Sequence, residues 1–266
     1  MNRIESKFEE LKQKNKKALI TFITAGDPNL KTTESIVMEM ENAGADIIEL
    51  GIPYSDPIAE GSVIQAANQR ALMNGIKIYD IMEMVFKLRE TVKIPLVYLL
   101  YFNCILQYGV DEFFKDCRNS GIDGVIIPDL PYEEQWEVRD LAEANNIDVI
   151  SLISPTSNDR IEKIVRNAKG FLYCVSSLGV TGVRNEFSTD FESFFSEINR
   201  YSSVPKALGF GISTEKDVRN LKKYCEGLIV GSAIVKQVEK SLNSKEAVEN
   251  VSVYVKMLRN AIDEEC

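Results

Sequence analysis

Two stretches, Ala43-Gly-Ala-Asp-Ile-Ile-Glu-Leu50 and Ser120-Gly-Ile-Asp-Gly-Val-Ile-Ile127, share one grammar: a helix end, a glycine, then an unbroken apolar run. Glycine just past a periodic segment is a helix stop. An apolar run without alternation marks a parallel strand covered on both faces. Working outward, runs of the same kind recur at Ala18–Thr24, Pro95–Tyr101, Asp148–Ile153, Phe171–Val175, Val204–Leu208 and Gly227–Val230. Amphipathic stretches separate them, such as Ile161, Ile164, Val165 and Ala168, or Val248, Val251, Val255, Leu258 and Ile262. Eight strand signals in 266 residues, roughly 33 per unit, suit a repeated βα unit. No linker or composition break divides the chain. The expectation is a single domain, 1–266, of class α/β: a (β/α)8 TIM barrel, with a doubly wound open sheet as the alternative. Ile4, Phe8 and Leu11 at helical spacing add an N-terminal helix that would cap the barrel bottom. Glu5, Glu9 and Glu10 on that helix argue against reading Lys16-Lys17 and the apolar run after it as an export signal.

Composition narrows the chemistry. There are 31 basic and 40 acidic side chains, a net charge of −9, so neither nucleic acid nor an anionic membrane is an expected partner. No apolar run approaches the ~18 residues of a membrane span. The chain has no histidine, which removes Ser-His-Asp and Cys-His nucleophiles and histidine metal sites, and no metal is expected. Proton transfer then falls to Asp, Glu, Lys, Tyr or Cys. Cys104, Cys117, Cys174, Cys225 and Cys266 are scattered, without CxxC, and read as reduced thiols of a cytoplasmic protein.

A barrel of this kind places its active site at the C-terminal ends of the strands. Glu49 lies near the end of an apolar strand, so alternation points it either into the barrel or into the helix layer. A buried glutamate is either satisfied by hidden donors or kept for proton transfer, since burial raises its pKa. The loop Pro53-Tyr-Ser-Asp-Pro-Ile-Ala-Glu-Gly61 follows directly and carries Asp56 and Glu60, a second candidate acid–base pair. Asp129 ends another strand, where turn capping explains it as well as catalysis does. Gly209-Phe-Gly-Ile-Ser213 and Val230-Gly-Ser-Ala-Ile234 follow the last two strands and precede helices, the usual place for backbone amides to bind phosphate. Ser176–Asp190 has the length and polarity of a lid. Phe22, Leu99, Leu100, Tyr101, Ile127 and Tyr173 are candidates to line a flat aromatic pocket, although each fits a core role too. From the residues alone the reading is carboxylate-driven chemistry on a small phosphorylated molecule.

Phe22-Ile-Thr-Ala-Gly-Asp-Pro28, Glu49-Leu-Gly-Ile-Pro-Tyr-Ser-Asp-Pro57, Gly179-Val-Thr-Gly182 and Gly209-Phe-Gly-Ile-Ser213 together resemble, in order and spacing, the motifs of the tryptophan synthase α-subunit family. The resemblance covers nearly the whole chain. It implies cleavage of indole-3-glycerol phosphate to indole and glyceraldehyde 3-phosphate, with no cofactor on this chain. Pyridoxal phosphate would sit on a β-subunit partner, in an α2β2 heterotetramer. The resemblance makes Glu49 the group that protonates indole C3 and accepts the glycerol hydroxyl proton. Glu60 stands where the family usually has an aspartate that takes the N1 proton, with Ser62 where proline is commoner. It further implies that Phe22, Leu100, Tyr173, Thr181, Gly182, Phe210, Gly211, Gly231 and Ser232 bind substrate, and that Pro53, Asp56 and Pro131 contact the partner. The same residues are compatible with a free-standing indole-glycerol-phosphate lyase, a weakly catalytic subunit that activates a β-partner, or an unrelated phosphate-binding barrel isomerase.

Overall fold

The computed structural model describes residues 2–175, 191–209 and 211–264. Every expected apolar run forms a parallel strand: β1 (Ala18–Thr24), β2 (Ile47–Gly51), β3 (Leu96–Leu99), β4 (Gly124–Ile126), β5 (Asp148–Val149), β6 (Ser151–Ile153), β7 (Leu172–Val175), β8 (Lys206–Gly209) and β9 (Gly227–Val230). Their spatial order is β5-β4-β3-β2-β1-β9-β8-β7-β6. The expected Asp148–Ile153 strand is divided at Ile150 into β5 and β6. Its first half pairs with β4 and its second with β7, so one stretch of chain closes the ring. Eight staves therefore make a (β/α)8 barrel, and the open-sheet alternative falls.

The helices are α1 (Arg3–Gln13), α2 (Leu30–Asn42), α3 (Ser62–Met73), α4 (Ile78–Leu88), α5 (Phe102–Tyr108), α6 (Val110–Ser120), α7 (Trp136–Ala144), α8 (Ile161–Arg166), α9 (Phe191–Asn199), α10 (Glu215–Leu221), α11 (Ser232–Glu239) and α12 (Ser244–Asp263). Gly121 ends α6 in the left-handed conformation at φ +90°, the role its position in the sequence suggested. Among the described residues no helix is long and apolar enough to cross a membrane.

Strand alternation sorts the core into two shells. Leu19, Ile48, Leu50, Leu96, Tyr98, Val125, Leu172 and Leu228 pack outward against the helices. Ala18, Ile20, Ile47, Val97, Ile126, Tyr173, Ala207 and Ile229 fill the lumen. α1 closes the floor by adding Ile4, Phe8 and Leu11 to the lumen shell, and Phe8 lies 5.9 Å from Phe171, ring centre to ring centre. A capping box starts this helix: the Asn2 side chain accepts from the Ile4 amide at 3.1 Å, while Glu5 accepts from the Asn2 amide. The Asn2 side-chain amide also donates to the Asp123 carbonyl at 2.7 Å, which docks the helix. The Asp123 carboxylate in turn accepts from Arg89 at 2.6 Å, Arg3 at 2.8 Å and the Leu96 amide at 2.9 Å. Floor and walls are filled with apolar side chains, which leaves the barrel lumen open toward the mouth at the strand C-termini.

Candidate active site

Register decides where Glu49 points. It pairs with Phe22 on β1 and Val97 on β3, and it shares the parity of lumen-facing Ile47. Its carboxylate therefore enters the barrel, one layer above the apolar fill. The residue is 1% exposed, and neither oxygen has a hydrogen-bond partner among the described residues. Among the described residues no hidden donor satisfies it. Desolvation, with the nearby Glu60 charge second, pushes its pKa up to about 8. Glu60, brought in by the loop 52–61, is 4% exposed and raised by burial to about 7. Tyr173 on β7 has its pKa raised by burial and then by the charges of both Glu49 and Glu60, so all three groups converge on one spot. Two buried carboxylates with raised pKa values side by side are an arrangement able to give and take protons near neutral pH.

Glycines at the strand ends make room for the rings around that pair. A Cβ on Gly51 would stand 2.6 Å from Cζ of Phe22, and one on Gly209 would stand 2.7 Å from Cε1 of Tyr173. Phe22 packs with Ile64, Ala67 and Val235, and with Leu99 at the lumen edge. Leu100 differs from its neighbour. Beyond the end of β3 it is fully buried in the outer shell, while Leu99 packs against the lumen residues. A one-residue step reverses the face, so Leu99 is the lumen wall at this height.

The two glycine turns are not equivalent as anion sites. The N-terminus of α10 is capped from within: Asp217 accepts from the Ser213 and Thr214 amides at 3.0 and 2.8 Å, and the Thr214 hydroxyl accepts from the Asp217 amide. Those donors are spent. α11 begins at Gly231 with no side-chain cap, so the first-turn amide of Ser232 has no acceptor inside its helix. Gly211, at φ +77°, lies on the neighbouring turn. Gly211, Gly231 and Ser232 are each partly exposed at the mouth. Phe210, Thr181 and Gly182, together with the Ser176–Asp190 stretch, lie outside the described residues.

Around the rim, Pro53 is buried, while Asp56 and Pro131 are exposed. The loop 52–61 and α3 border a groove of about 700 Å³ lined by Tyr54, Asp56, Ile58 and Met73 among others. Ile58 and Met73 are 77% and 80% exposed. Asp129 turns out to cap a different element: its carboxylate accepts from the Phe102 amide at 2.9 Å, at the start of α5. Sequence reasoning missed the pair in which half-buried Arg70 grips buried Asp27 with both arms, at 2.8 and 2.7 Å, tying α3 to the turn after β1. The partners are 43 positions apart, and no local pattern links them.

The family model for the tryptophan synthase alpha chain matches residues 8–263. The tryptophan synthase alpha chain of Caldanaerobacter subterraneus subsp. tengcongensis is 53% identical over 262 residues, spanning 98% of this chain and 100% of that protein. Among solved structures, the alpha chain from Legionella pneumophila superposes with a TM-score of 0.89 at 35% identity, covering 99% of this chain and 98% of that one. Tryptophan synthase from Mycobacterium tuberculosis gives a TM-score of 0.90 at 28% identity, covering 99% of each chain. This chain belongs to the tryptophan synthase alpha chain family, lyases that cleave indole-3-glycerol phosphate in tryptophan biosynthesis.

Proposed function

We propose that Glu49 and Glu60 carry the lyase reaction of this chain as a proton-transfer pair. The observation behind this reading is an unpartnered, fully buried Glu49 on the barrel axis beside a second buried carboxylate. Glu49, protonated at neutral pH, delivers its proton to indole C3, and its carboxylate then takes the glycerol hydroxyl proton. Glu60 accepts the N1 proton to give the C3-protonated tautomer. As the C–C bond breaks, its electron pair flows through C2 to N1, which takes the proton back from Glu60. Neutral indole leaves and both carboxyls regain their starting states. Phe22, Leu99 and Tyr173 flank the ring, Leu100 backs them from the outer shell, and Thr181 is a further substrate contact. The amides of Gly182, Phe210, Gly211, Gly231 and Ser232 hold the phosphate. No step asks for a metal or a cofactor on this chain. The incubation that tests this is pure protein with indole-3-glycerol phosphate, scored for indole; absence of indole with and without a β-subunit would defeat it.

The pH profile checks the pairing of roles. Glu60 must be ionised and Glu49 protonated, so kcat/KM is expected to rise through about 7 and fall beyond about 8. Because the two groups interact, these limbs belong to the pair. A flat profile between pH 6 and 9 would contradict it.

For the partner, the reading is a β-subunit carrying pyridoxal phosphate, docked over the mouth through Pro53, Asp56 and Pro131 in an α2β2 assembly of cytoplasmic subunits, with residues 1–266 acting as one domain. The exposed apolar side chain of Ile58 on the loop that delivers Glu60 supports this placement. Ile58→Asp is expected to weaken partner binding at least tenfold, read by titrating β-subunit into the lyase assay, while activity without partner stays within about twofold. Unchanged binding would move the interface elsewhere.

A further inference from the structure

Glu60 reaches the site on a loop, and a catalytic carboxylate on a loop is only as well placed as its backbone. The backbone on either side of its Cα is held by groups from two other elements. On one side, the Ala59 amide donates to the Tyr101 hydroxyl at 2.9 Å. On the other, the Gln65 side-chain amide, from the first turns of α3, donates to the Glu60 carbonyl at 2.8 Å. The Glu60 amide itself closes a turn onto the Pro57 carbonyl at 3.0 Å. Tyr101 is a firm anchor: it is 3% exposed, it stands at the N-cap of α5, and its ring stacks on Tyr54 of the same loop at 4.9 Å. The adjacent Phe102 amide is pinned by Asp129, so the anchor is braced from the end of β4 as well. The charge on Glu60 acts on the Tyr101 hydroxyl, which places the two groups close together.

Glutamate outreaches aspartate by one methylene, on the order of 1.5 Å, and a misplacement of about 1 Å can cost a hundredfold in rate. With the flanking amide and carbonyl both fixed, the side-chain torsions are the freedom left to Glu60. We infer that Tyr101 and Gln65 are positioning residues that set the backbone of Glu60 so that its longer side chain meets the substrate. This rests on the acid–base role assigned to Glu60 above.

The test is a pair of double-mutant cycles on the full-length chain, with indole release from indole-3-glycerol phosphate as the readout. Tyr101→Phe keeps the ring stack and removes only the acceptor; it is expected to lower kcat about tenfold to a hundredfold with KM within twofold, and to displace the acidic limb of the pH profile. Gln65→Ala, a surface-side truncation that spares the packed ring, is expected to act the same way. In a Glu60→Gln background neither change should cost anything further, because there is no carboxylate left to aim. Equal losses in both backgrounds, an unmoved acidic limb, or wild-type kinetics in both single variants would overturn the positioning role while leaving Glu60 catalytic. Where the Glu60→Gln rate is too low to divide further, the acidic limb decides. Full activity in Glu60→Gln itself would overturn the catalytic reading and this one together.

Discussion

Replacing Glu49 with glutamine is expected to lower indole release by about a thousandfold or more and, at the same time, to stabilise the fold at neutral pH. Both effects share one cause. The carboxylate sits in the lumen with no donor for either oxygen among the described residues, and this burial raises its pKa to about 8 and equips it to deliver a proton. In the unfolded chain it ionises near 4.5, so between about 4.5 and 8 the unfolded state has lost a proton that the folded state keeps. The contribution of Glu49 to stability is therefore fully present below about 4.5, falls as pH rises through this interval, and levels off above about 8. The loss is on the order of a few kcal/mol for one group shifted this far. Glutamine has the same shape and no charge to desolvate, so the variant should lack this part of the slope. Thermal melts at pH 5 and pH 8 would show it: the gap between wild type and Glu49→Gln should open at pH 8. Glu60 adds a similar decline between 4.5 and about 7 that the variant retains. A Glu49→Gln protein that turns over normally, or that melts lower than wild type at pH 8, would remove Glu49 from this role.

The second large effect belongs to the opposite face of the barrel. Asp123→Ala is expected to destabilise by about 3–5 kcal/mol, lowering Tm by roughly 10 °C, with kcat within about twofold. Asp123 gathers Arg89, Arg3 and the Leu96 amide at the barrel floor, and its side chain is 4% exposed. Truncating it leaves Arg89, only 11% exposed, without its counter-ion and the Leu96 amide without its acceptor. The floor supports the fold and takes no part in the chemistry, so the loss should appear in denaturant midpoints and leave turnover alone. A fall in kcat with unchanged stability would mean that floor and mouth are coupled. The contrast is diagnostic: one buried carboxylate without donors, at the mouth, trades stability for activity, and one with three donors, at the floor, does the reverse.

The barrel itself was legible along the chain. Unbroken apolar runs such as Ile47–Leu50, stops such as Gly121, and the helical face of Ile4, Phe8 and Leu11 are local signals, because burial on both strand faces and left-handed caps restrict residue type one position at a time. Glu49 was legible for the same reason: a charge inside an apolar strand stands out without knowledge of its surroundings. Its direction, into the lumen and away from the helix layer, came from pairing register. So did the closure of the ring at Ile150, where one apolar run serves two neighbours. Distance along the chain hid the rest. That Leu99 and Leu100 face opposite shells, that Asp217 spends the α10 amides while α11 stays open, and that Tyr101 and Gln65 bracket Glu60 all depend on partners delivered by other elements. Residue type follows from burial and backbone conformation, which are properties of a position. Which donor meets which acceptor is a property of pairs, and only the closed barrel brings those pairs together.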